Sequence, residues 1–338
     1  MLVTKATHDF QRVFFIGSFM QNKTKSILRY PGSKARFAPL IVNAMKLNQI
    51  NGGAFAEPFC GGASVSISLL EEGLVDSIFL NDADPLIASL WSCVFNRCDA
   101  QWLADKVASI SLSIDEWKNQ KQLKPICQRE AALKCLYLNR TSFNGIIHKS
   151  GPIGGWGQKK RSIGVRFNRE KLISRILELS HYADKVDVSN QGWRCFCDWI
   201  KLRKDTFIYF DPPYYFKAEQ LYGYIFDHAE HVVLRDYILH LKSPWLLSYD
   251  DALEVRKLYK YNKIQALVID NTYSTHPLGG SSFIGRELLY SNMNQLPTPD
   301  KPTKVHVGIT VRSPYEFQST EDPLRIPCST NACEKMAI

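Results

Sequence analysis

A chain of 338 residues, 45% hydrophobic and 12% aromatic, reads as a globular protein of about two domains. It has no apolar run of about 18 residues, so no membrane-spanning helix is expected, and its nine cysteines lack CxxC or Cys/His ligand spacing, which argues against a disulfide framework and a zinc site. The net charge of +9 is unevenly spread: Lys118 to Arg175 carries 14 Lys/Arg against Glu130 and Glu170, so that stretch is +12 and the remainder −3, a pattern that predicts a polyanion-binding surface.

Residues 1–25 read as an extension. Their short apolar run, Val13 to Met20, lacks the basic region and cleavage site of a secretory signal. With the cysteine pattern, this predicts a reducing, cytoplasmic setting. Pro31-Gly32-Ser33 forms a turn, and a helix follows with Phe37, Leu40, Ile41, Ala44 and Met45 on one face and Lys34 at its mouth. Gly32-Ser33-Lys34 resembles the end of a phosphate loop. The upstream glycine is missing and Ala35 stands where Ser or Thr belongs, so an NTPase is not indicated.

Ala54 to Glu57 reads as a strand, Pro58 to Gly62 as a turn and Ser64 to Glu71 as a helix, the opening unit of a nucleotide-type α/β fold. Gly61 and Gly62 permit close approach of a ligand to the backbone, and Glu57 suits a cationic or amino-bearing one. Ser77 to Asp82 is a second strand ending in acid, where ribose hydroxyls find a partner; Asp84 is placed to cap the next helix. Lys185 to Ile200 reads as strand, loop and short helix, with Cys195 and Cys197 on one face of a strand or loop.

Thr206 to Tyr215, TFIYFDPPYY, starts with the β-branched and aromatic composition of a buried strand. Pro212 and Pro213 cannot continue a sheet ladder, so the strand stops at Asp211, at the end where ligands sit in open α/β sheets. Asp211 and the Pro212 carbonyl, stiffened by Pro213, can accept both N–H groups of an exocyclic amine on a base lying against Tyr214. That localises the nitrogen lone pair and makes it nucleophilic. The plainer reading is an Asp-Pro turn with core aromatics.

Further on, Asp227 caps a helix whose Val232, Val233, Leu239 and Leu241 are expected to face the sheet; His228 and His231 lack a third metal ligand. Trp245 to Asp251 is another buried strand, and Ala266 to Asn292 a hairpin with a glycine-rich tip. Residues 295–338, rich in Pro and polar residues at their start, read as a loose tail.

RYPGSK, AEPFCGGASV, NDADPLI and DPPYY, in that order, resemble the Dam-like family of DNA adenine-N6 methyltransferases, as do YLNRTSFNG, FDHAEHVVL, LLSYDD and GRELLYSN. The similarity covers roughly residues 26–293. It implies a Rossmann-like α/β methyltransferase with a mixed sheet and an inserted, mainly helical target-recognition domain. The expected layout is a catalytic domain at 26–91 and 186–294 and the DNA-recognition domain at 92–185.

The resemblance also implies S-adenosylmethionine as cofactor, contacted by Tyr30, Gly32, Lys34, Glu57, Pro58, Phe59, Gly61, Asp82 and Asp211. Asp211, Pro212, Pro213 and Tyr214 would carry catalysis on an adenine flipped from double-stranded DNA. Arg140, Asn144, Lys159, Lys160, Arg161 and Arg166 would touch DNA; Trp156 would stack, wedge or pack. No metal, no membrane and a monomer are expected, in a restriction, phage or housekeeping setting. The sequence departs from the family where an acidic residue usually meets the cofactor adenine: Gly192 and Trp193 stand there, leaving Asp198 as a substitute. The exocyclic-amine chemistry also leaves open N4-cytosine and RNA substrates, and a silent DNA-binding protein of the same fold.

Overall fold

The protein is described by a computed structural model, covering residues 26–30, 32–159, 161–215, 226–260, 264–273, 283–297, 303–306 and 309–312. Its strands are β1 (Ala54–Glu57), β2 (Ser77–Asn81), β3 (Val186–Ser189), β4 (Thr206–Phe210), β5 (Trp245–Asp250), β6 (Gln265–Tyr273), β7 (Phe283–Ser291), β8 (Thr303–His306) and β9 (Ile309–Arg312). They form one sheet in the order β3-β2-β1-β4-β5-β7-β6-β9-β8. The first five neighbours run parallel, while β7 enters antiparallel between β5 and β6, and the remaining pairs are antiparallel.

The side-chain period of two sorts each central strand onto two cores. In β4, Phe207 and Tyr209 enter one apolar cluster and Ile208 and Phe210 the other; all five β4 residues are buried. A parallel strand covered on both faces needs this near-continuous apolar composition. The first cluster holds residues of α1 (Ala38–Leu47), α2 (Ser64–Glu71) and α3 (Pro85–Val94). It runs on without a break into α4 (Arg97–Ser109), α5 (Ile114–Gln122), α6 (Gln128–Thr141) and α7 (Arg169–Ser180), the helices inserted between β2 and β3. The expected start of the insertion at residue 92 therefore lies within α3. The second cluster takes α8 (Trp193–Ile200), α9 (His228–Leu239) and α10 (Leu253–Leu258).

Three expectations are corrected. Val232 and Leu241 pack, partly buried, against the second cluster as expected, but Val233 is 40% exposed, and the fully buried residues of α9 are His231, Leu234 and Ile238. The polar label on His231 hid the i, i+3, i+7 stripe, because its ring is buried with Nδ1 2.6 Å from the Tyr249 hydroxyl. Cys195 and Cys197 lie on helix α8, one exposed and one buried, not on one face. The stretch from residue 295 is not all loose: β8 and β9 extend the sheet, with Val311 paired to Ile269 and fully buried. Residues 1–25, Pro31, Lys160 and the glycine-rich tip at 274–282 lie outside the described residues.

Candidate active site

The strand order reverses between β1 and β4, and ligands bind at such a switch point beyond the carboxyl ends of the strands. A cavity of about 860 Å³ sits there, lined from the Tyr30 to Lys34 segment, the turns after β1 and β2, the insertion, and the starts of α8 and α9. Tyr30, Gly32, Lys34, Glu57, Pro58, Phe59, Gly61, Asp82 and Asp211 all line it, together with Pro213.

The glycine turn is shaped by a neighbour. A Cβ on Gly61, whose φ is +43°, would meet the Tyr30 ring at 2.6 Å, and one on Gly62 would meet Tyr30 Cβ at 2.9 Å. The close approach read from this glycine pair is thus made by Tyr30. Tyr30 itself is positioned from the insertion. Asn139 accepts from the Arg29 N–H at 2.8 Å, and donates to the Arg29 and Gly145 carbonyls at 3.2 and 2.8 Å. Gly145, at φ +77°, leaves no room for a side chain, since a Cβ would lie 2.2 Å from the Arg29 oxygen.

Lys34 is 5% exposed at the mouth of α1. Its ammonium donates to Oδ1 and Oδ2 of Asp211 at 2.8 and 3.0 Å, to the Tyr214 hydroxyl at 2.8 Å and to the Gly32 carbonyl at 3.2 Å. Glu287 Oε2, on β7, lies 3.5 Å away. Burial by itself lowers the pKa of Lys34, but the carboxylates of Asp211 and Glu287 outweigh it and hold the pKa well above the ordinary lysine value. For Asp211, burial pushes the carboxyl up while Lys34 and Ser248 pull it back; the Ser248 hydroxyl donates to Oδ1 at 2.7 Å. Pro212 and Tyr214 are buried, with the Tyr214 centroid 4.8 Å from Lys34 Nζ.

Glu57 Oε1 accepts from the Ser66 N–H and hydroxyl at 2.9 and 2.7 Å. Burial nevertheless raises its pKa to about 8. Asp82 accepts from the Gly61 and Asp84 N–H groups at 2.9 Å each, and burial raises it to about 7. Asp84 caps α3 through the Leu86 N–H, as expected, and its Oδ2 meets His148 Nε2 at 2.6 Å. Asp198 does not join the cavity: it pairs with Lys201 at 2.6 Å and accepts from the Tyr237 hydroxyl at 2.9 Å on an exposed surface. The substitution of Asp198 for the missing acid is therefore corrected.

Among the expected DNA contacts, Asn144, Lys159, Arg161 and Arg166 are exposed. Asn144 takes a left-handed φ of +55° beside Phe143, which is 58% exposed. Arg140 instead points inward, donating through Nε and Nη2 to the Ile27 carbonyl, with burial and Arg29 lowering its pKa to about 10. Trp156 is 62% exposed and sits edge-on to Trp117 at 5.6 Å. Sequence reasoning missed Glu287, Ser248, Ser66 and Asn139; a buried acid inside the apolar run of β7 was the available signal for Glu287. No group of three His, Cys, Asp or Glu residues able to hold a metal occurs among the described residues, nor any helix long and apolar enough to cross a membrane.

A ligand cavity at the β1/β4 switch point, a reversed β7, and Asp-Pro-Pro-Tyr closing β4 define a Rossmann-like methyltransferase. The chain belongs to the D12 class N6 adenine-specific DNA methyltransferase family, whose profile matches residues 30–275. No curated protein matches it.

Proposed function

We propose that this enzyme uses S-adenosylmethionine to methylate N6 of an adenine rotated out of a specific site in duplex DNA. One observation carries the reading: Asp211 and Pro213 line the same cavity as Glu57, the glycine turn and Asp82. The donor set fits the cofactor. Glu57, buried beside the glycine turn, suits its cationic methionine end. Asp82 and Asp84 stand where sugar hydroxyls find partners, and Phe59 and Trp193 offer an apolar wall. When bound, S-adenosylmethionine supplies an electrophilic methyl group on a sulfonium.

Asp211 and the Pro212 carbonyl accept the two N–H groups of the target amine and localise its lone pair. Lys34 Nζ already demonstrates an N–H donor bound to Asp211 within reach of the Tyr214 ring. A base amine taking that place lies against Tyr214, with Lys34 withdrawn onto Glu287. The methylated nitrogen must shed one proton, and Asp211 adjoins it. Asp211 lines a recessed cavity, which a base stacked in a duplex cannot enter, so the base must flip. Asn144, Lys159, Arg161 and Arg166 face outward to hold the DNA backbone.

Asp211→Ala tests this. Transfer should fall by at least about 100-fold, the scale of losing an oriented electrostatic partner, while S-adenosylhomocysteine still binds. Wild-type transfer by the variant would overturn the role of Asp211.

A further inference from the structure

We infer that Glu230 is the acceptor for the cofactor's adenine amino group, replacing the acid that the turn after β3 lacks; this rests on the cofactor reading above. The cavity has one markedly apolar side. Phe59 packs 6.4 Å from Trp193 and edge-on, 5.9 Å, against Phe226, and Ile87 and Val233 also line the cavity. A planar, weakly polar heterocycle fits such a wall, and a purine placed there needs a polar partner for its amino edge.

Five carboxylates line the cavity among the described residues. Three carry hydrogen bonds on both oxygens and already have places in the reading above, Asp82 and Asp84 at the sugar and Asp211 at the target amine. Asp82 holds the Gly61 and Asp84 N–H groups, Asp84 holds Leu86 N–H and His148, and Asp211 holds Lys34 and Ser248. Glu57 is 4% exposed, its Oε1 fixed by Ser66 beside the glycine turn. Glu230 alone stands on the aromatic side. Its Oε2 accepts only a 3.4 Å hydrogen bond from Trp193 Nε1, and Oε1 has no hydrogen-bond partner among the described residues.

Its orientation adds a second, independent argument. Asp227 is the N-cap of α9 and accepts from the Glu230 N–H at 2.9 Å. An acid at this third helical position ordinarily reaches back to the N-cap N–H and closes a capping box. Here the carboxylate of Glu230, an exposed residue lining the cavity, turns instead to the Trp193 indole. Trp193 begins α8 and is 9% exposed, with Tyr237 5.4 Å from it, so the indole is held by packing and gives Glu230 a hydrogen-bond donor at the cavity. On this inference Glu230, in the first turn of α9, takes the place of the acid that Gly192 does not supply in the turn after β3.

The test is calorimetric binding of S-adenosylhomocysteine and of its analogue bearing hydrogen in place of the 6-amino group, to the wild-type enzyme, Glu230→Ala and Glu230→Gln. The wild type should prefer the amino ligand by about tenfold, the scale of one hydrogen bond to a charged acceptor. Glu230→Ala should lose that preference by weakening only the amino ligand, and Glu230→Gln, which keeps an acceptor oxygen, should lose less. Equal weakening of both ligands, or an unchanged preference in Glu230→Ala, would overturn the assignment. Failure of the wild type to bind S-adenosylhomocysteine at all is a different result: it overturns the cofactor reading, and this inference with it.

Discussion

Lys34 Nζ lies 2.8 Å from Oδ1 of Asp211, across 177 residues of sequence, at the carboxyl end of the central strand. Two carboxylates, Asp211 and Glu287, thereby share one buried ammonium. Breaking a buried ion cluster leaves uncompensated charge, whereas replacing it whole is tolerated better.

Lys34→Met should therefore lower stability by about 3–5 kcal/mol, read by chemical denaturation. Adding Glu287→Gln to it should recover part of that loss, because Asp211 is then the one carboxylate of the pair left without the ammonium. A double variant no more stable than Lys34→Met would show that Glu287 does not share the ammonium.

The pKa of Glu57, raised to about 8 by burial, should make affinity for the proposed cofactor pH-dependent. Below that value the free enzyme carries Glu57 protonated. A cationic ligand favours the ionised form, so affinity for S-adenosylmethionine should rise as pH increases from about 6 through 8, and binding near neutrality should release a proton. Calorimetry in buffers of different ionisation enthalpy measures that proton directly; Glu57→Gln should abolish its release.

Gly145→Ala should cost about 2–4 kcal/mol. The position combines φ +77° with a carbonyl 2.2 Å from the added Cβ, and the damage falls on the segment that presents Tyr30. The variant should lose thermal stability and weaken S-adenosylhomocysteine binding together. Retention of wild-type stability would remove the clamp from the account.

Replacing Lys159, Arg161 and Arg166 with alanine should lower the slope of log affinity against log salt for duplex DNA by about 2–3. Lys134→Ala should leave the slope alone and reduce stability, since its ammonium holds the Lys121 and Leu123 carbonyls. An unchanged slope in the triple variant would move the DNA surface elsewhere.

That contrast shows where sequence reading stopped. The +12 stretch was visible, but not which charges face out. Lys121 donates to the Ile147 and His148 carbonyls, Arg169 to those of Val107 and Ile110, and Arg175 pairs with Glu71 and Glu178. Helix ends and loops leave carbonyls needing donors, and long basic side chains satisfy them. Composition counts these charges as surface; only the fold shows them turned inward.

Local patterns were legible because their causes are local. β1, α2 and β4 match their expected bounds, Asp227 caps α9 and Asp84 caps α3. The contact of Lys34 with Asp211 and Glu287 joins the segment before α1, the end of β4 and the middle of β7, brought together by topology, which no spacing encodes. β8 and β9, four residues each among Pro and polar residues, are too short to carry a periodic signal. The residues of the glycine turn and Asp-Pro-Pro-Tyr were read individually, but the Tyr30 ring that fits the glycines, and the Asn139 that holds its segment, follow from packing alone.

The most direct measurement is methyl transfer from labelled S-adenosylmethionine to mixed-sequence duplex DNA, with the product digested to nucleosides. Label in N6-methyldeoxyadenosine, lost in Asp211→Ala, is the predicted result. Label in N4-methyldeoxycytidine, or label confined to RNA offered in parallel, would contradict the proposed substrate; no transfer to either nucleic acid would contradict the account as a whole.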